Sequence, residues 1–172
     1  RVLPIVLLVV SIVNGVSLAA SIYAPSTLVI AHRGFIEKGV ENTLSSLIAS
    51  AEAGADMVEI DIQQTKDGKF IVFHDASLTR LAGKKESVYQ MTQAELMEVT
   101  VHSGQLSDTI PSLEQMLEKS RELNIQLLIE IKTHGYETDD MLRRLISVLD
   151  QYKALDVHYI QSLEMDIATQ IK

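Results

Sequence analysis

Two histidines each close an apolar run and stand directly before a charged residue. His32 ends "VIAH" and precedes Arg33, and His74 ends "IVFH" and precedes Asp75. Imidazole titrates near neutral pH, so a histidine at a strand end is a candidate general acid or base. The guanidinium of Arg33 is a planar fork that matches a pair of phosphate oxygens. Acidic residues punctuate two further apolar runs: Glu59 and Asp61 in "MVEIDI", and Glu130, followed by Lys132, in "LLIEIK". Strand side chains alternate between faces. Val58, Ile60 and Ile62 therefore share one face and Glu59 and Asp61 the other, while Leu127, Ile129 and Ile131 oppose Leu128, Glu130 and Lys132. Three carboxylates converging on one interior are costly without positive charge. Two readings stay open: ion pairs with Arg33 and Lys132 alone, or a bound cation in addition. All-oxygen ligands suit Ca²⁺, Mg²⁺ or Mn²⁺ better than zinc. Two histidines, an arginine, a lysine and three carboxylates suggest metal-assisted hydrolysis or transfer at a phosphate. His102, His134 and His158 lack such a setting and read as surface or loop residues.

The elements that must carry these groups follow from the hydrophobic pattern. Residues 28–31 read as a short buried strand, 57–62 as a second, and 69–73 as a third after the turn signal Lys66-Asp67-Gly68. Residues 43–53 read as a helix with Leu44, Leu47, Ile48 and Ala51 on one face, capped by Asn42 or Thr43 and ended by Gly54. Thr92 with Glu95, and Ser112 with Gln115, are capping boxes, the second opening a helix that carries Leu113, Met116 and Leu117. Residues 125–131 and 157–161 read as strands, 139–152 as a helix with Leu142, Leu145, Ile146 and Leu149 inward, and 165–172 as another helix. Strands alternating with helices imply an α/β fold with a parallel sheet. An eight-stranded (β/α) barrel typically needs ~250 residues, so five strands are the first part of one. A doubly wound sheet is the rival, but its Gly-rich phosphate loop is absent. The stretch between the second and third strands is too short for a crossover helix.

Composition sets the outer bounds. The chain has 172 residues, a net charge of -8 and no cysteine. This excludes a disulfide framework or thiolate metal site and argues against nucleic acid as a partner. Residues 2–24 carry no charge, over about the ~20 residues that span a bilayer. We expect residues 1–25 to form a transmembrane helix, with a cleaved signal as the rival on account of "SLAA". With Arg1 on the inner side, the rest would be membrane-attached and extracytoplasmic. The sequence carries no sign of assembly state.

The motifs "AHRG" (31–34), "ENT" (41–43), "EIDIQQTKDG" (59–68), "VFHD" (72–75), "LTR" (78–80), "IPSLEQML" (110–117) and "IEIK" (129–132) resemble, in order and spacing, those of the glycerophosphodiester phosphodiesterases. The resemblance runs over residues 28–172, and the apolar lead-in resembles the final span of multi-span members. It implies a (β/α)8 TIM-type barrel in residues 26–172, incomplete at its C-terminus. It implies one divalent cation on Glu59, Asp61 and Glu130, with Arg33 and Lys132 on the substrate phosphate. His32 and His74 become the acid/base pair, with Glu41 and Asn42 supporting. The implied activity is hydrolysis of a small glycerophosphodiester to glycerol 3-phosphate and an alcohol. Alternatives are action on lysophospholipids or glycerol-phosphate polymers, or a module that binds a phosphate ligand without turnover. Residues 76–111 are a modest insert where relatives often carry a larger one, so a large substrate cap is not expected. Five strands leave two open sheet edges, and a chain of this length alone is expected to be poorly stable or inactive.

Overall fold

The computed structural model describes residues 27–171. The expected membrane span at residues 1–25 lies outside them. Among the described residues no helix is long and apolar enough to cross a membrane.

The central sheet is built from β1 (Ile30–His32), β2 (Met57–Gln64), β6 (Gln126–Ile131) and β7 (Tyr159–Gln161), all parallel and in that spatial order. The strand at residues 69–73 is β3 (Phe70–Val72), and it runs antiparallel to β2. Among the described residues, four strands, not five, are therefore parallel in the manner of a barrel. The correction has a local cause. The turn at 65–69 is a tight hairpin closed by Gly68 N–H to Thr65 O and Thr65 N–H to Lys69 O, with Gly68 at φ 73, and so short a link cannot cross over a sheet. β6, adjacent to β2, is the next parallel strand.

The helices cover the apolar face of this sheet. α1 (Leu44–Glu52) follows β1; α4 (Leu113–Leu123) precedes β6; α5 (Met141–Gln151) lies between β6 and β7; α6 (Met165–Gln170) follows β7. Val58, Ile60 and Ile62 of β2 and Leu127, Ile129 and Ile131 of β6 pack with Leu47, Leu113, Met116, Leu117, Leu145 and Leu149. Each such buried aliphatic side chain contributes about 1.5–3 kcal/mol. Ile146, expected inward, is 38% exposed; Met141, one turn earlier on the Leu145 stripe, is buried in its place. Thr43, Thr92 and Ser112 all cap their helices through their side chains.

Residues 76–111 are more than a connecting loop. They hold α2 (Thr79–Ala82), a 3₁₀ turn at Val88–Gln90, α3 (Gln93–Met97) and the antiparallel hairpin β4 (Thr100–Ser103) and β5 (Leu106–Thr109). Ile71, Phe73, Leu78, Val88, Leu96, Val101 and Ile110 form a second apolar cluster there. β3 and the residue after it join the two cores: Phe70 and Val72 enter the first, Ile71 and Phe73 the second.

His158 is not the free surface residue its context suggested. Its Nδ1 accepts the Leu127 N–H at 3.1 Å, and burial pushes its pKa down to about 4. The fold thus prefers the neutral ring, whereas the unfolded chain binds a proton first as pH falls. Its contribution is present above about pH 6.5 and is lost on descent toward about 4. We expect urea midpoints measured between pH 7 and 4.5 to fall more steeply for the natural chain than for His158→Gln. The difference should be on the order of 1–2 kcal/mol after solvent screening is allowed for. Parallel curves would refute the assignment.

Candidate active site

Parallel strands bring their C-terminal ends to one face, which is where barrel enzymes build their sites. The register sets the charged positions abreast. His32 lies opposite Glu59, Asp61 opposite Glu130, and Glu130 opposite Gln161. Carboxylate oxygens of Glu59, Asp61 and Glu130 lie within 4.8 Å of one another, and all three residues are buried.

β1 ends opposite Glu59 and β3 joins β2 only from Ile62, which leaves Asp61 between two strand partners on that edge. Asn42 and Phe73 supply the missing bonds. Asn42 Oδ1 accepts the Asp61 N–H at 3.0 Å and its Nδ2 donates to Asp61 Oδ2 at 2.8 Å, while the Phe73 N–H donates to Asp61 O. Asn42 does this from the left-handed region, at φ 59, where Asn is among the more tolerated residues. The helix cap therefore falls to Thr43. Arg33 is also left-handed, at φ 57, a strain of about 1–3 kcal/mol. Gly34 follows because the chain runs against α1: a Cβ there would lie 2.4 Å from Ser46 Oγ.

The cations reach the cluster from two sides. Arg33 Nε lies 3.3 Å from Asp61 Oδ2, and its Nη1 donates to Glu41 Oε1 at 3.1 Å. Lys132 Nζ donates to Glu130 Oε1 and lies 3.4 Å from Asp61 Oδ1. Gln161 Nε2 donates to Glu130 Oε2 at 2.9 Å. The ion-pair reading thus holds for Asp61 and Glu130. It fails for Glu59. Its Oε2 accepts the Arg33 N–H at 2.9 Å and lies 3.8 Å from His32 Nε2, but its Oε1 is buried with no partner. Burial, and then the charges of Asp61 and Glu130, push its carboxyl up to about 7. A buried oxygen without a donor, inside a cluster short of positive charge, fits a divalent cation with oxygen ligands.

His32 stands at the rim, its side chain 72% exposed. His74 reaches the cluster indirectly, with its Nδ1 2.9 Å from Asp75 Oδ1. Gln63 fixes the backbone on both sides of His74, since its Nε2 donates to Phe73 O at 2.6 Å and Asp75 O at 2.9 Å. Asp75 stood out only as the charged neighbour of His74, and Gln63, Arg80 and Gln161 are the residues that sequence reasoning missed. A signal existed for Gln63, which shares the strand face of Glu59 and Asp61, and for Gln161, which ends a strand as His32 does. His102 and His134 are exposed, as expected.

A profile of the glycerophosphoryl diester phosphodiesterase family matches residues 32–172. A glycerophosphodiester phosphodiesterase of Caldanaerobacter subterraneus is 32% identical over 130 residues, covering 73% of this chain and 54% of that protein. A rat protein named as a lysophospholipase D is 28% identical over 134 residues, covering 72% of this chain and 41% of that one. Among solved structures, an Oleispira antarctica phosphodiesterase in complex with the product sn-glycerol-3-phosphate superposes with a TM-score of 0.75 at 29% identity, covering 84% of this chain and 60% of that one. The chain spans about half the length of the curated relatives it matches.

A cation that fills the gap at Glu59 must stabilise the fold. An ion at a hundred times its Kd adds about 2.7 kcal/mol, roughly 5–10 °C in Tm for a domain of this size. We expect Ca²⁺, Mg²⁺ or Mn²⁺ to raise the melting temperature over EDTA by this order, and Glu59→Gln to abolish the rise without lowering stability in EDTA. A natural chain indifferent to all three ions would exclude the site.

Proposed function

The chain belongs to the glycerophosphoryl diester phosphodiesterase family, and on that premise we propose that its site hydrolyses glycerophosphodiesters to glycerol 3-phosphate and an alcohol. One observation carries the reading. The buried, cation-short cluster of Glu59, Asp61 and Glu130 is flanked by the two side chains, Arg33 and Lys132, best suited to hold a phosphate. The product bound to the Oleispira antarctica phosphodiesterase supports this substrate class.

Glu59, Asp61 and Glu130 would hold one divalent cation, Ca²⁺, Mg²⁺ or Mn²⁺. When bound it supplies Lewis-acid stabilisation of the charge that develops on the phosphate oxygens. Arg33 and Lys132 bind the remaining phosphate oxygens and orient the diester. The glycerol hydroxyl next to the phosphodiester attacks phosphorus. One histidine of the pair His32 and His74 takes its proton, and the other protonates the departing alcohol oxygen, leaving a cyclic phosphate. Water then opens the ring with the two roles exchanged, which restores both histidines. Asp75, held ionised, is acceptor-only, so His74 Nδ1 carries the proton and Nε2 is the nitrogen left for substrate. Glu41 and Asn42 support the site by holding Arg33 and Asp61.

A second reading is action on lysophospholipids at the same site, supported by the rat relative named for that activity. The two separate on substrate. The full-length protein, given glycerophosphocholine or lysophosphatidylcholine with Mg²⁺, Ca²⁺ or EDTA, should release glycerol 3-phosphate from the first only with a cation. Choline release from the second alone would favour the lysophospholipid reading. We expect His32→Ala, His74→Ala and Glu59→Ala each to lower kcat by about 10²–10⁴-fold. Turnover that survives all three changes would place the chemistry elsewhere.

A further inference from the structure

Arg80, the last residue of "LTR", sits on α2 in the insert, five residues from Asp75 but 39 from Glu41, the two side chains it joins. Its Nε and Nη2 donate to Asp75 Oδ2 and Oδ1 at 2.7 and 3.1 Å. Its Nη1 and Nη2 donate to Glu41 Oε2 and Oε1 at 2.8 and 2.7 Å. One guanidinium thus forks onto two carboxylates, with Nη2 common to both. The oxygens that Nη2 meets are not arbitrary. Asp75 Oδ1 also holds His74 Nδ1 at 2.9 Å, and Glu41 Oε1 also holds Arg33 Nη1 at 3.1 Å. A continuous chain runs from Arg33 through Glu41, Arg80 and Asp75 to His74.

We propose that Arg80 is a positioning residue of the phosphodiesterase site, locking the His74 tautomer through Asp75 and the Arg33 guanidinium through Glu41. The assignment rests on the function proposed above. An exposed ion pair normally adds little to stability, and Arg80 is 45% exposed on its side chain. A stability role alone would be weak. The doubled fork is geometrically specific in a way that a single ammonium cannot copy. Hydrogen bonds from Arg80 hold the Glu41 carboxyl below its usual range. At Asp75 burial works the other way, but the bonds from Arg80 and His74 outweigh it and keep the carboxyl low. Both carboxylates therefore stay acceptors, and each fixes the direction of the donor on its far side. Without Arg80, Asp75 and Glu41 are free to turn toward water. His74 then loses the partner that decides which ring nitrogen carries its proton.

The test uses the full-length protein with ¹⁵N-labelled histidine, comparing the natural chain with Arg80→Ala and Arg80→Lys. The His74 resonances are assigned by their absence in His74→Gln. The natural chain should show His74 as a single Nδ1-protonated tautomer, and Arg80→Ala a tautomer mixture. With glycerophosphocholine and a saturating cation, kcat should fall about 10–100-fold in Arg80→Ala, the scale of a small misplacement of a reacting group. Arg80→Lys should recover only part of this, and added guanidinium ion should partly rescue Arg80→Ala. Cation-induced thermal stabilisation should not change. A natural tautomer and a kcat within twofold in Arg80→Ala would overturn the proposal. If Arg80→Ala melts below the assay temperature, Arg80→Gln carries the same two readouts. If the natural chain turns over no diester, the functional reading fails, and the tautomer arm still decides whether Arg80 orients His74.

Discussion

The site is organised around one buried carboxylate. Asp61 is 1% exposed, and a lone charge so placed is not tolerated. Its side chain collects Asn42 and Arg33 from the loop after β1 and Lys132 from the end of β6. Its main chain collects Asn42 again and Phe73 from the segment after β3. Four separate stretches of sequence therefore have to converge if Asp61 is to be buried at all. Breaking such a cluster by removing one partner costs several kcal/mol, because it leaves charge uncompensated rather than because each pair is strong. Removing Arg33 or Lys132 should thus disturb the position of the others. The same dependence explains why the chain accepts two left-handed non-glycine residues, Arg33 and Asn42, within one loop: their conformations aim both side chains at Asp61.

Glu59 lies two residues earlier on the same strand face and has the opposite character. It has a full partner on one oxygen and none on the other. The two positive side chains are spent on Asp61 and Glu130, and Arg33 is further shared with Glu41. The count of charges, rather than any single distance, is what leaves room for a cation. An ion-paired cluster would have been complete with one carboxylate fewer.

Much of this was legible before any coordinates. Period-two alternation put Val58, Ile60 and Ile62 in the core and Glu59 and Asp61 opposite them, and the strand faces came out as read. Capping chemistry located three helix starts, since Thr and Ser with a partner three residues on have few other uses. The topology of β3 was less legible, because an isolated apolar run does not state its direction. Its short link to β2 excluded a parallel crossover, and the tight turn at Gly68 completes the answer. Within residues 76–111 only the helix start at Thr92 was legible; the other elements are three or four residues long, too short for periodicity to declare itself. Arg80 escaped for a different reason. Nothing local to "LTR" points to Glu41, 39 positions away, and only the tertiary fold brings them within hydrogen-bond reach.

The two apolar clusters give this arrangement its mechanical sense. The first core, under β1, β2 and β6, fixes the carboxylates, Arg33 and Lys132. The second, in the insert, fixes the segment that bears His74, Asp75 and Arg80. β3 is shared, burying alternate side chains in each. Such a joint sets the distance between the two halves but leaves the side chains at the mouth free to turn. Two sets of polar contacts remove that freedom. Gln63 grips the carbonyls on either side of His74 from β2, and the doubled fork of Arg80 ties Asp75 to Glu41 across the gap. The first acts on backbone and the second on side chains, so neither can replace the other. The insert is small, but its core holds the segment that bears one of the two histidines, and it carries the guanidinium tied to that histidine's partner Asp75. It therefore belongs to the site and is not a cover over it.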